Sequence, residues 1–134
     1  MQGKTWIFNP KKKIAPEKDV TLINEWAENH IKHLKKDHIP NKPPKNLNYI
    51  TDVYSEWVRG RFYLCAKYDC PGPNVMAPNF IHKFARLEYI GSELRPDRYS
   101  LYAMRHNGEW INMEFDAPLK NCLSTIEKDS WFTP

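Results

Sequence analysis

The chain has 134 residues, of which 41% are hydrophobic and 27% charged, with a formal net charge of +4; that length suffices for one domain burying roughly two-thirds of the surface its unfolded chain would expose. No apolar run approaches the ~20 residues needed to span a bilayer, and Met1 to Lys13 carries basic residues without the apolar stretch of a signal peptide, so neither a membrane-spanning nor a secreted protein is expected. Cys65, Cys70 and Cys122 form an odd, scattered set that argues against a secreted disulfide framework and fits a reducing cytoplasm.

The charge is uneven: residues 1–47 carry ten Lys and five acids, whereas residues 48–134 carry ten basic and eleven acidic residues, including every Arg. Nucleic-acid binding wants Arg and Lys gathered on one face, so scattered lysines read first as solvated surface. The arm, residues 1–15, holds Trp6-Ile7-Phe8, which would dock on the chain's own sheet or on a partner. Lys11 to Lys13 fall short of a polybasic anchor. A helix is expected over 16–36, with Pro16, Glu17 and Asp19 suited to its first turn and Val20, Ile23, Ala27, Ile31 and Leu34 as its buried stripe. Residues 37–47, rich in proline, read as a short extended connector.

Residues 48–116 read as an antiparallel sheet. A hairpin about Arg59-Gly60 would place Trp57 opposite Phe62, Ser55 opposite Leu64, Val53 opposite Ala66 and Thr51 opposite Tyr68 on one face. The strand near Asn79 to Ile90 is apolar on both faces, as a central strand would be. Next, a two-residue turn at Asn107-Gly108 would oppose Arg105 to Trp110, Met104 to Ile111 and Ala103 to Asn112. In that register Tyr102, Met104, Ile111, Met113 and Phe115 share the core face. Within residues 117–134 a helix over about 118–128 presents Leu119, Cys122, Leu123 and Ile126 at helical spacing. The expected fold is α+β: an antiparallel meander of about five strands with a long N-terminal and a short C-terminal helix packed on it, all within a single domain, 1–134.

Three segments carry a resemblance: the strand Lys83-Phe84-Ala85-Arg86-Leu87-Glu88-Tyr89, the hairpin Arg105-His106-Asn107-Gly108-Glu109-Trp110, and the end Asp129-Ser130-Trp131-Phe132. Their patterns (KF..L.Y, RH.G.W and D..F) resemble an uncharacterised bacterial family of small α+β domains of unknown function. The resemblance implies a bacterial origin and this fold, and no reaction.

Two places invite a ligand. The loop Cys70-Pro71-Gly72-Pro73-Asn74-Val75-Met76 is stiff enough to present Val75 and Met76 to a partner, or is simply a rigid crossover. Arg105 stacked on Trp110, with Lys83, Arg86 and Tyr99 nearby, could hold an acidic partner or stack bases, or be an ordinary sheet face neutralised by Glu88, Glu109 and Glu114. A metal site from Cys65, Cys70, His82 and His106 lacks a second close ligand pair. Nothing local lowers a cysteine pKa, and no glycine cluster forms a phosphate loop. The sequence offers no cofactor motif and no catalytic set. It reads as a binding module without enzymatic activity, for a protein partner. Nucleic-acid binding, or a small hydrolase or nuclease using His106 with Glu88 or Arg86, are the alternatives.

Overall fold

In a computed structural model, residues 14–72 and 78–134 are described. Helix α1 spans Glu17–His38. Strands β1 (Tyr49–Val58), β2 (Arg61–Asp69), β3 (Asn79–Tyr89), β4 (Tyr99–Met104) and β5 (Trp110–Ala117) follow, then helix α2 (Leu119–Lys128) and a closing 3-10 turn, Ser130–Phe132. The strands form one antiparallel sheet in the order β1-β2-β3-β4-β5, as expected. None of the described helices is long and apolar enough to cross a membrane.

Both helices bury the stripe that their spacing marks. Ile23, Ala27 and Leu34 of α1 and Leu119, Cys122, Leu123 and Ile126 of α2 lie in the core, with Val20 and Ile31 packed against it. Polar side chains fix where the helices sit. Trp57 Nε1–H donates to Asn24 at 2.8 Å, Tyr99 O–H to Asp19 at 2.7 Å, and Trp26 Nε1–H to Glu127 at 2.9 Å, tying α1 to the sheet and to α2. Asp97 accepts from the Leu119 N–H at 2.8 Å and so satisfies an open donor at the start of α2.

The first hairpin holds the expected register from Trp57↔Phe62 to Asp52↔Lys67. Arg59 and Gly60 both have positive φ, 53° and 79°, so the turn takes the two-residue form despite the cost to arginine. Beyond Asp52 a bulge intervenes. Tyr68 pairs with Ile50 rather than with Thr51, which lets the larger apolar side chain enter the core in place of threonine.

The second hairpin departs from its expected register by one residue. Arg105 N–H donates to Glu109 at 2.8 Å and Gly108 N–H to Arg105 at 3.0 Å, so the loop is His106-Asn107-Gly108, and of these only Gly108 has positive φ, 86°. Asn107 accepts from the Glu109 N–H at 3.1 Å through its own side chain instead of taking a positive φ. Trp110 therefore pairs with Met104, Ile111 with Ala103 and Asn112 with Tyr102. Because a one-residue slip exchanges faces, Tyr99, Leu101 and Ala103 take the core side, and Tyr102 and Met104 turn away from it. Phe115, expected in the core, is 70% exposed. Two further register shifts lie on β5, one at Met113 and one where Asp116, at φ 55°, is held by Arg95 (2.9 Å) and Arg98 (3.1 Å to its carbonyl).

β3 is central, but its two apolar faces have another cause. A bulge between the pairs Leu64↔Ala85 and Cys65↔Lys83 leaves Phe84 as the extra residue, and the alternation changes phase there. Phe84, Ala85 and Leu87 all reach the one core.

Candidate functional site

Alternation from these registers assigns a second face to the sheet, which no described helix covers. It carries Glu56 on β1, Tyr63 and Cys65 on β2, Lys83, Arg86 and Glu88 on β3, Tyr102 and Met104 on β4, and Trp110 on β5. Neighbouring strands bring Arg86 beside both Tyr63 and Tyr102. Its guanidinium lies 4.0 Å from the centre of the Tyr102 ring and 5.0 Å from that of Trp110. Trp110 leans back over the sheet until its ring is 6.0 Å from Tyr63, and the Lys83 ammonium sits 4.5 Å above Tyr63. Stacked cations of this kind contribute ~0.5–2 kcal/mol each, more as water is excluded.

Beside this cluster, at the end of the sheet formed by the β4–β5 hairpin, is an open groove of about 460 Å³ walled by Tyr63, Lys83, Met104, Arg105, His106 and Trp110. A second hollow, of about 360 Å³, shares His82, Met104 and His106 and continues to Trp131. Ile81 at the first and Trp131 at the second are 45% and 46% exposed. The three segments that carry the resemblance thus meet at one rim.

The expected stack of Arg105 on Trp110 is corrected: Met104 occupies that pairing, and Arg86 supplies the guanidinium over the indole. Arg105 lies at the groove's edge. Lys83 and Arg86 are on the same face as Trp110, but Tyr99 is not: it is 1% exposed in the core, pairs with Tyr89 and donates to Asp19. In the loop, Cys70 N–H donates to Pro78 at 2.9 Å and Gly72 N–H to Cys70 at 3.1 Å, with Pro71 between them. Pro73, Val75 and Met76 lie outside the described residues, as do Trp6-Ile7-Phe8 and Lys11 to Lys13. Tyr63, Tyr102 and Met104 were not marked from sequence. The hairpin register that placed Tyr102 and Met104 in the core hid two of them.

Glu88 pairs with Ser100, four residues and so ~13 Å along β4 from Met104, which keeps it from reaching His106. It ion-pairs with Arg61 and, at 3.6 Å, with Arg86 instead. Burial pushes the Cys65 thiol from 9.0 up to about 12, and Glu56, to which the thiol donates at 3.7 Å, adds to the shift. Such a thiol stays protonated and inert near neutrality. Burial also lowers the His82 pKa, so its imidazole is neutral there. Among the described residues no group of three or more His, Cys, Asp or Glu side chains is placed to hold a metal ion. What remains is an aromatic shelf with cations at its edge, able to hold an apolar or planar group and an adjoining anion.

Comparison with known proteins gives one positive finding: a family model described as "Domain of unknown function (DUF3024)" matches residues 13–134. No curated protein and no solved structure matches.

Proposed function

Because the chain belongs to the DUF3024 family of unknown function, we propose from its own geometry that it is a binding module without enzymatic activity, which takes a protein partner on the helix-free face of its sheet. The observation that carries this reading is the shelf of Trp110 and Tyr63, rings 6.0 Å apart, opening onto the groove beside the β4–β5 hairpin. Aromatic side chains supply large contact area at small entropic cost and are enriched where partners dock. Ile81 and Trp131, both about half exposed, extend the apolar rim. The reading treats residues 1–134 as one domain of a bacterial, cytoplasmic protein.

The test is capture from the native cell with the full chain and with Trp110→Ala in parallel. Trp110→Ala should lose the partner while the chain still unfolds cooperatively in urea. Retention of the partner by the variant contradicts the reading.

A second reading, single-stranded nucleic acid, is favoured by one observation: Arg86, Tyr102 and Trp110 form a stacked set on an uncovered sheet, a surface on which bases can lie. Titration with single-stranded oligonucleotides at low and moderate salt decides it. Binding must weaken steeply with salt for this reading to stand.

A further inference from the structure

We propose that the groove beside Trp110 takes an acidic segment of the partner, with an Asp or Glu carboxylate meeting Lys83 and Arg105 and an adjoining apolar side chain resting on Trp110, whose ring backs onto the buried Tyr63. This rests on the binding-module reading above and names the chemistry that the module selects.

Charge complementarity points to that ligand. Among the described residues walling the groove are Lys83, Arg105 and the imidazoles of His82 and His106, and no carboxylate. Two other cations of the face, Arg61 and Arg86, are already engaged, and Lys67 lies on the face but outside the groove's wall. Arg61 and Arg86 both pair with Glu88, and Arg86 is further covered by Tyr102 and Trp110. Lys83 has only a long contact with Glu56, 3.7 Å, between side chains 39% and 36% exposed, which an incoming carboxylate can replace at little cost. Arg105 is exposed, and among the described residues it meets no carboxylate within ion-pair distance. A weakly paired Lys83 and, among the described residues, an Arg105 with no carboxylate partner stand beside the aromatic shelf as one half of a charge-assisted contact.

Shape narrows the class of partner. About 460 Å³ holds a few side chains, not a length of strand. Glu56 and Glu88 share the face with Arg86, and Glu109 stands at the hairpin, so acidic groups interrupt the path a phosphate backbone would follow. At the tip, Gly108 leaves open space: a Cβ built there would meet nothing within 4 Å, so a peptide backbone can approach the rim closely.

The experiment sorts short random peptides on the immobilised full chain, with Trp110→Ala and Arg105→Glu chains as parallel targets. Enriched peptides should carry Asp or Glu beside Phe, Trp or Leu. Synthetic copies should bind roughly tenfold more weakly when the acid is replaced by its amide, or when the chain carries Lys83→Gln or Arg105→Gln. Circular dichroism of each variant separates lost contact from lost fold. Enrichment that needs Trp110 but shows no preference for acids overturns the acidic-segment proposal and leaves the binding module standing. Enrichment indifferent to Trp110, or none at all, overturns both. A single-stranded oligonucleotide that displaces the peptides, with a steep salt dependence, overturns the proposal in favour of nucleic acid.

Discussion

Phe62 and Tyr63 are neighbours on β2 and face opposite ways, and the two surroundings differ in kind. Phe62, 1% exposed, packs beside Trp57 in the core beneath α1, with Leu64, Leu87 and Leu101 on the same face. Tyr63 has no described helix above it. It is covered by Trp110 and by the ammonium of Lys83, in a layer whose other members are Arg86, Glu88, Glu56 and Tyr102. One face is closed by apolar burial and holds the fold. The other is closed by long side chains that lean over one another, and such a layer can open to a ligand without unmaking the sheet. On the proposed reading, stability and recognition fall to opposite faces of the same strands.

Substitutions should separate the two. Phe62→Ala removes a buried ring from the helix face and should cost ~3–5 kcal/mol in urea unfolding; a much smaller loss would break the contrast. Trp110→Ala on the open face should cost only ~1–2 kcal/mol, its stacking with Tyr63 and Arg86, while binding is lost.

Alkaline pH probes both faces at once. Cys65 lies on the open face and Cys122 on the buried side of α2, and burial pushes each thiol from 9.0 up to about 12. Each group's folded pKa is raised above its unfolded value, so its contribution is fully present below pH 9 and is lost as pH rises towards 12. Stability measured across that interval should fall, and the fall should be shallower in Cys65→Ala and in Cys122→Ala. An unchanged slope in Cys65→Ala would mean that the side-chain cover of the open face admits water. Gly108→Ala places a side chain at φ 86° with no steric neighbour, so the strain of the backbone alone, ~1 kcal/mol, should appear in the melt. Smallest is Lys35→Ala, which removes an exposed ion pair with Asp52 (3.2 Å) and should change stability by less than ~0.5 kcal/mol.

The helices, the strand count and the meander were legible because each rests on a local signal: helical spacing of apolar residues, prolines at helix starts, glycines at turns. The two hairpins mark where local signals end. Arg59-Gly60 was the weaker turn signal yet kept its two-residue loop, because the paired strands Trp57↔Phe62 and Val53↔Ala66 hold the core register and outweigh the strain at Arg59. Asn107-Gly108 was the stronger signal and slipped, because the shifted register takes Leu101 and Ala103 into the core together with Tyr99. Turn preference amounts to a kilocalorie or so, and three buried side chains exceed it. The phase change at Phe84 was hidden for a similar reason, since a bulge is a property of the pairing with β2, and the apolar residues it leaves on both alternations of β3 read equally well as a two-sided central strand. Trp110, Lys83 and Arg86 were marked as a candidate surface because aromatic and basic residues interleave there. Tyr63 and Tyr102 joined them only when the pairing across β2, β3 and β4 was known.

Site-specific photocrosslinking in the native cell tests most directly whether recognition belongs to the open face. A photoreactive residue replaces Ile81 at the groove, 45% exposed, or Leu94 on the loop after β3, 94% exposed. The expected result is a discrete protein adduct from position 81, abolished by Trp110→Ala, and none from position 94. Adducts formed equally at both positions, or at 94 alone, would contradict the assignment of recognition to the helix-free face.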